Sequence, residues 1–118
     1  MTQDNIIDND DGLSVEEYQQ WTPHTMVVSW VAREPYLLVG LAAEAGEIAG
    51  HYAKYKRGDF DQEELLRRLR PEVGDMMYFL SEICNLYDWD LRKIMHENRI
   101  KLLNRLSRNQ IRGDGDDR

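Results

Sequence analysis

The chain has 118 residues, a formal net charge of −7 and a single cysteine, Cys84. This length suits one domain with a modest core, one cysteine excludes an internal disulfide and favours a reducing compartment, and the acidic balance argues against duplex nucleic acid as the main partner. Because Cys84 lies among Ile83, Leu86 and Tyr87, we interpret it as a buried small apolar side chain and not as a nucleophile.

The sequence shows no pattern typical of a membrane segment or a signal peptide. Its apolar runs are all far shorter than the roughly 20 residues of a membrane span. The acidic start, MTQDNIIDNDDG, lacks the basic region of a signal peptide. We therefore expect a cytoplasmic location, no membrane partner and a flexible acidic terminus at residues 1–13.

The first helix has a clear start signal and contains a proline. Ser14 and Glu17 form a capping box, in which a serine side chain and a glutamate three residues later satisfy each other's backbone donors. We expect the helix to begin there and to run to about Arg33. Pro23 lacks a backbone donor, so a kink or a split is expected at that residue.

Prolines and acidic caps define the other three helices. Pro35 predicts a boundary before the second helix, because the residue preceding a proline disfavours helical geometry. Asp61 and Asp90 are the expected N-caps of the third and fourth helices, and Pro71 predicts a kink or a break within the third. The expected second, third and fourth helices cover residues 36–56, 62–87 and 91–107.

Strand signals are nearly absent, so the sequence predicts an all-α fold of the four-helix-bundle type. We expect one helical domain at residues 14–108, followed by a tail at 109–118 that substrate binding could order. The long apolar faces of the four helices exceed what a small monomer can cover. We therefore expect the fold to be completed by oligomerisation.

Two acid pairs are placed unusually for surface charges. Glu44 and Glu47 fall in the run GLAAEAGEIAG, and Glu72 and Asp75 fall in RPEVGDMMYFL. Positions three apart share a helix face, so each pair lies at the margin of an apolar stripe. The expected stripes are Leu37, Leu41, Ala45, Ile48, Tyr52 and Tyr55 in the second helix, and Leu69, Val73, Met76, Phe79, Leu80, Ile83 and Tyr87 in the third.

If these two helices pack antiparallel, the four carboxylates converge. Burying them costs several kcal/mol each unless their charge is met, and one or more divalent cations would meet it. Ligand sets made only of oxygen suit Mg²⁺ or Mn²⁺. Gly46 and Gly74 each lie inside a pair at a cost of roughly 1 kcal/mol relative to alanine, which predicts close approach by another helix or a ligand.

Two other interpretations of the acids need to be considered. A ferritin-like di-iron site would need Glu-x-x-His pairs, and the sequence has none. Alternatively, the chain is a non-catalytic helical interaction module whose acids form salt bridges at a dimer interface. The basic residues of RGD (57–59) and LLRRLR (65–70) would then supply the partners.

The fourth helix carries polar groups on an otherwise apolar face, which includes Leu91 and Leu102. Asn98 lies in the middle of that face, Arg105 lies within it and Lys101 borders it. One interpretation is a hydrogen-bonded core asparagine with basic side chains that reach out to solvent. The other is a basic wall opposite the acids, with a phosphate chain held between them.

These motifs, in this order, resemble the MazG-like all-α nucleoside triphosphate pyrophosphohydrolases. That superfamily carries an E-x-x-E motif followed by E-x-x-D on the next long helix. Further similarity lies in EEYQQWTPHT (16–25), ENRIKLLNR (97–105) and the closing IRGDGDDR (111–118). Each short motif is weak alone, and the resemblance rests on their combined order and spacing over residues 14–118.

The resemblance implies hydrolysis of a nucleoside or deoxynucleoside triphosphate to the monophosphate and pyrophosphate by water activated by a metal. It implies Mg²⁺ as the cofactor, with Mn²⁺ as a substitute, and a dimer or tetramer. We favour Glu47 as the general base as well as a ligand. The implied metal ligands are Glu44, Glu47, Glu72 and Asp75, and the implied phosphate and sugar contacts are Lys54, Asn98, Lys101 and Arg105.

The aromatic residues and histidines are less informative. Tyr78 is a candidate for a contact with the nucleobase, Trp21 is a candidate for such a contact or for a dimer contact, and core packing is the alternative for each. Tyr78 stands where many members of the superfamily have tryptophan, so the base preference is open. The resemblance gives no role to His24 or His51, which we expect at the surface or against a metal ligand.

Overall fold

The computed structural model describes residues 12–108, so the expectations for residues 1–11 and 109–118 lie outside that range. The described residues form four α-helices and no strand, which confirms the predicted all-α bundle class. None of these helices is both long and apolar enough to cross a bilayer. They are α1 (Val15–Trp21), α2 (Trp30–Arg57), α3 (Gln62–Leu86) and α4 (Leu91–Ser107), with a 3₁₀ turn at Thr22–Thr25 after α1.

The first helix begins as predicted and ends early. The Ser14 hydroxyl accepts a hydrogen bond from the Glu17 backbone N–H at 3.0 Å, which confirms the cap. The predicted continuation to about Arg33 is wrong, because α1 gives way to the 3₁₀ turn that contains Pro23. Pro23 cannot donate to the preceding turn, and the Thr25 hydroxyl instead donates to the Thr22 carbonyl at 2.9 Å.

The boundary predicted at Pro35 is also wrong. Helix α2 begins five residues earlier, after Ser29 in an extended conformation, and runs through Pro35 without a break. Proline removes one bond, to the carbonyl of Val31, and Val31 is 90% exposed, so water can reach that turn. The early start adds a full turn to the helix that carries Glu44.

The remaining helix ends follow their local signals. Asp61 accepts from the Glu64 backbone N–H at 2.9 Å, and Asp90 accepts from that of Arg92 at 2.9 Å, so both predicted caps are confirmed. Gly58 ends α2 with a φ of +92°, a left-handed conformation that favours glycine. The break predicted near Pro71 is absent, because α3 is continuous from Gln62 to Leu86.

Helices α2 and α3 form an antiparallel pair joined by the short connection 58–61. Gly40 lies against Phe79, and Glu47, two turns further along α2, contacts Glu72, two turns earlier in α3. This register places the acid pairs of the two helices side by side. The core consists of Leu37, Phe79 and Ile83, with Met26, Leu41, Tyr78, Leu86 and Tyr87 packed against it.

Helix α1 and the 3₁₀ turn hold α3 and α4 together through polar contacts. The Gln19 side chain donates to the Trp89 carbonyl at 2.7 Å and accepts from the Leu91 backbone N–H at 2.9 Å. The hydroxyls of Thr22 and Ser81, both fully buried, lie 2.8 Å apart. Cys84 is buried, as predicted.

The predicted apolar stripes are only partly right. Leu37, Phe79 and Ile83 are buried, but Tyr52 is 52% exposed and Val73 is 54% exposed. The contact between α2 and α3 within one chain covers only part of each stripe. A broad apolar surface therefore remains uncovered on the described part of the molecule.

Candidate metal centre

Three carboxylates converge where α2 crosses α3. Glu44 from α2 and Glu72 and Asp75 from α3 each offer one oxygen, and these oxygens lie within 4.8 Å of one another. Two ligands of one Mg²⁺ are at most about 4.2 Å apart, since each lies about 2.1 Å from the ion. Small side-chain rotations would therefore be enough for the three oxygens to bind one cation.

The fourth predicted acid, Glu47, belongs to the same cluster. Its carboxyl group interacts directly with that of Glu72, and Glu44 interacts with Glu72 as well. The i, i+3 spacing puts Glu44 and Glu47 on one face of α2, and the antiparallel register places Glu72 and Asp75 opposite them. The structure thus brings together all four acids that the sequence pattern selected.

The cluster is electrostatically unbalanced without a positive charge. The pKa of Glu44 is raised, first by burial and then by the negative charges of Glu47, Asp75 and Glu72. The pKa of Glu47 is raised mainly by its contact with Glu72. One buried oxygen of Glu44 and one of Glu72 have no hydrogen-bond partner among the described residues.

A divalent cation fits these requirements. Carboxylates only accept hydrogen bonds when ionised, so contacts between them need either a shared proton or a cation. The donors are all oxygen atoms, which suits Mg²⁺ or Mn²⁺ better than softer metals. Glu44, Glu72 and Asp75 would hold the ion, whereas Glu47 contacts Glu72 but is not among the oxygens that lie within 4.8 Å of one another.

A cavity of about 240 Å³ opens beside the acids. It is lined by Glu47, Gly50, His51, Lys54 and Glu72. Lys54, the predicted phosphate contact on α2, therefore lies at the same cavity as two of the acids. His51 approaches Glu72 directly, with its Nε2 3.5 Å from the Oε1 atom of that carboxylate.

The other predicted substrate residues lie elsewhere or pack in the interior. Asn98, Lys101 and Arg105 are on α4, which packs against α1 and α3, and in the described part of the chain no Cα atom of α4 lies within 8 Å of a Cα atom of α2. Asn98 is exposed, so the alternative of a buried core asparagine is wrong, whereas Arg105 is only 3% exposed. Their role as substrate contacts stays a prediction.

The two aromatic candidates have neighbours inside the fold. The Tyr78 ring meets that of Phe79 edge-on at 6.0 Å, and its hydroxyl accepts from Thr25 at 3.2 Å. The Trp21 ring lies 6.2 Å from the ring of Tyr18. These contacts favour core packing for both residues, and a contact with a nucleobase stays a prediction.

Sequence reasoning gave no role to Tyr18, a residue near the site. The pKa of Tyr18 is raised by burial and then by the charges of Tyr78, Asp75 and Glu82, so its phenol lies near the acid cluster from the side of α1. The signal for Tyr18 was its place in EEYQQWTPHT. His51 contacts Glu72, which the resemblance implies as a metal ligand.

The metal-free protein is expected to become more stable as the pH is lowered towards 4.5, the ordinary pKa of a glutamate. The folded-state pKa values of Glu44 and Glu47 lie above the ordinary value of 4.5, so the folded state binds protons that the unfolded chain has released. Stability is therefore lost as pH rises through the folded values. Glu64 has the opposite effect, because its pKa is lowered to about 2. It changes stability only below about pH 5, and there stability falls as the pH falls.

Thermal melts in EDTA between pH 5 and pH 8 test this expectation. Saturating Mg²⁺ should flatten the pH dependence, because the cation takes the place of the protons. The double substitution Glu44→Gln with Glu47→Gln is the control, and it should remove the dependence in EDTA. A melting temperature in EDTA that stays constant over this range would contradict the electrostatic account of the cluster.

Fold and site together define an all-α protein with an acidic candidate metal centre between two antiparallel helices. No family model matches the chain, and no solved structure matches it. The Gene 37 protein of Mycobacterium phage L5 is 34% identical over 88 residues, which cover 70% of this chain and 75% of the phage protein. The chain therefore belongs to the family of that phage protein.

Proposed function

We propose that this protein hydrolyses a nucleoside or deoxynucleoside triphosphate to the monophosphate and pyrophosphate in the presence of Mg²⁺, with Mn²⁺ as a substitute. The observation that carries the proposal is the convergence of Glu44, Glu72 and Asp75, with Glu47 against Glu72. The reaction class comes from the resemblance of the ordered motifs to the MazG-like pyrophosphohydrolases.

The four acids alone would repel a triphosphate, so a cation has to stand between them. When bound, Mg²⁺ would neutralise phosphate charge and make water a better nucleophile at neutral pH. Glu47 is our candidate for the base that takes the proton from the attacking water. It lines the cavity and is more exposed than Glu44, so it can reach a water molecule held there.

Lys54 supplies a positive charge at the same cavity. It lies two turns after Glu47 on α2 and lines the cavity with it. An ammonium group in this position can bind a phosphate oxygen that faces away from the metal. The same cavity thus offers a cation for phosphate, ligands for a metal and a carboxylate for proton transfer.

The salt-bridged interaction module is the less favoured alternative. The arginine of the RGD motif, Arg57, pairs with Asp59 in the same motif. Arg67 and Arg68 both pair with Glu64, one turn earlier on α3. Because Arg57, Arg67 and Arg68 bind acids close to them in sequence, their recorded ion pairs are not with the acids of the cluster.

A homodimer or homotetramer, with a cytoplasmic location to match a nucleotide substrate, completes the proposal. Val31, Val39 and Val73 are more than half exposed, and they belong to the two long helices that carry the acids. A second copy that covers these helices would remove this apolar surface from water. It would also stiffen the pair on which the register of the acids depends.

The test is a panel of the eight common ribonucleoside and deoxyribonucleoside triphosphates, with and without Mg²⁺. Phosphorus NMR of the products distinguishes pyrophosphate from orthophosphate. We expect metal-dependent release of pyrophosphate and monophosphate, with one base preferred. A failure to turn over any of the eight in either Mg²⁺ or Mn²⁺ would count against the proposed reaction and in favour of the interaction module.

A further inference from the structure

His51 lies on α2 at a position from which its side chain can fix the orientation of the Glu72 carboxylate. It follows Glu44 by seven residues and Glu47 by four, so all three share one helix face. Its Nε2 lies 3.5 Å from Glu72 Oε1, and the two side chains are only 21% and 16% exposed. Its other nitrogen, Nδ1, is buried and has no hydrogen-bond partner among residues 12–108.

The two oxygens of the Glu72 carboxylate have different surroundings. Oε1 faces the imidazole, whereas Oε2 is buried without a hydrogen-bond donor in the described part of the chain. Glu72 also lies against Glu44 and Glu47, whose negative charges would push a free carboxylate out of this arrangement. A hydrogen-bond donor on the rigid His51 ring, placed against Oε1, opposes rotation of the Glu72 carboxylate away from the other acids.

We propose that His51 is a positioning residue for the metal centre: its Nε2–H holds Glu72 Oε1 and thereby presents Glu72 Oε2 to a cation shared with Glu44 and Asp75. This inference rests on the metal dependence in the proposed function. The neutral imidazole with its hydrogen on Nε2 is sufficient. The 3.5 Å separation is longer than the roughly 2.7–3.2 Å of an ordinary hydrogen bond, and a cation that draws the acids together would shorten it.

Substitutions that move the donor test this role. Glutamine places its Nε2 the same number of bonds from Cα as histidine does, whereas asparagine is one bond shorter and alanine has no donor. The probe is Mn²⁺ alone, with the free ion measured by electron paramagnetic resonance for the wild type and for His51→Gln, His51→Asn and His51→Ala. Circular dichroism and melting in EDTA check that each variant is folded.

We expect the Kd for Mn²⁺ to rise about 10-fold or more in His51→Ala and His51→Asn, the range found when groups that support metal ligands are removed, and less than about 3-fold in His51→Gln. Equal affinities in all four proteins would overturn the role of His51 and leave the metal centre standing. Equal weakening in the Gln and Asn variants would overturn the claim that Nε2 is the holding atom. Failure of the wild type to bind Mn²⁺ would overturn both this inference and the proposed metal-dependent function.

Discussion

Replacing Asp75 with asparagine is expected to lower Mg²⁺-dependent hydrolysis by at least about 100-fold, because loss of a direct ligand should exceed the 10- to 100-fold cost of losing a supporting group. The fold should survive the change. Asp75 is exposed, and its charge raises the pKa of both Glu44 and Glu47. Removing that charge relieves repulsion, so the melting temperature in EDTA should stay the same or rise.

The matched control is Glu63→Gln on the same helix. Glu63 is an exposed acid in the first turn of α3, far along the helix from the cluster. The Glu63→Gln substitution removes one negative charge, as Asp75→Asn does, without removing a proposed metal ligand, so hydrolysis should be unchanged. Loss of activity in Asp75→Asn together with a lower melting temperature in EDTA would instead show that the acid stabilises the fold, as the interaction module requires.

The parts of the fold that depend on neighbouring residues were predictable from the sequence. The caps at Ser14, Asp61 and Asp90 are contacts within three residues, so a short pattern contains all the information needed. The boundary predicted at Pro35 is wrong because the local preference of the residue before a proline was weighed alone. The start of α2 depends instead on the extended backbone conformation of Ser29 and on the packing of Leu37, which is fully buried.

The site was predictable for a related reason, and only in part. The i, i+3 spacing fixes which acids share a face, and one assumption, antiparallel packing, was enough to bring the pairs together. The close approach predicted at Gly46 and Gly74 depends on the register of the two helices as well as on spacing. At Gly46 and Gly74 a Cβ would meet nothing within 4 Å, so close approach of another helix within the described chain is wrong for both. The close approach is at Gly40, because the register places that residue against Phe79.

The register makes Gly40→Ala a damaging small substitution in the pair. An added Cβ would overlap with Cε1 of Phe79 and lie 3.0 Å from its Cζ. Phe79 is in the core beside Leu37 and Ile83, so its ring has little room to move. We expect a loss of about 1–3 kcal/mol in the free energy of unfolding from overpacking, although alanine favours a helix by roughly 1 kcal/mol over glycine. Urea denaturation measures the change.

The same substitution should also weaken the metal centre, because Glu44 lies one turn after Gly40 and Asp75 one turn before Phe79. Forcing the helices apart at the glycine separates the acids, so the Kd for Mn²⁺ should rise with the loss of stability. Gly74→Ala is the control: with open space around its Cβ, it should raise stability by up to about 1 kcal/mol through helix propensity alone. Adding Phe79→Leu to Gly40→Ala should recover part of the loss by removing the ring that the Cβ meets. A Gly40→Ala protein as stable as the wild type would show that the helices are not held at this distance, and the register that assembles the acids would then need another origin.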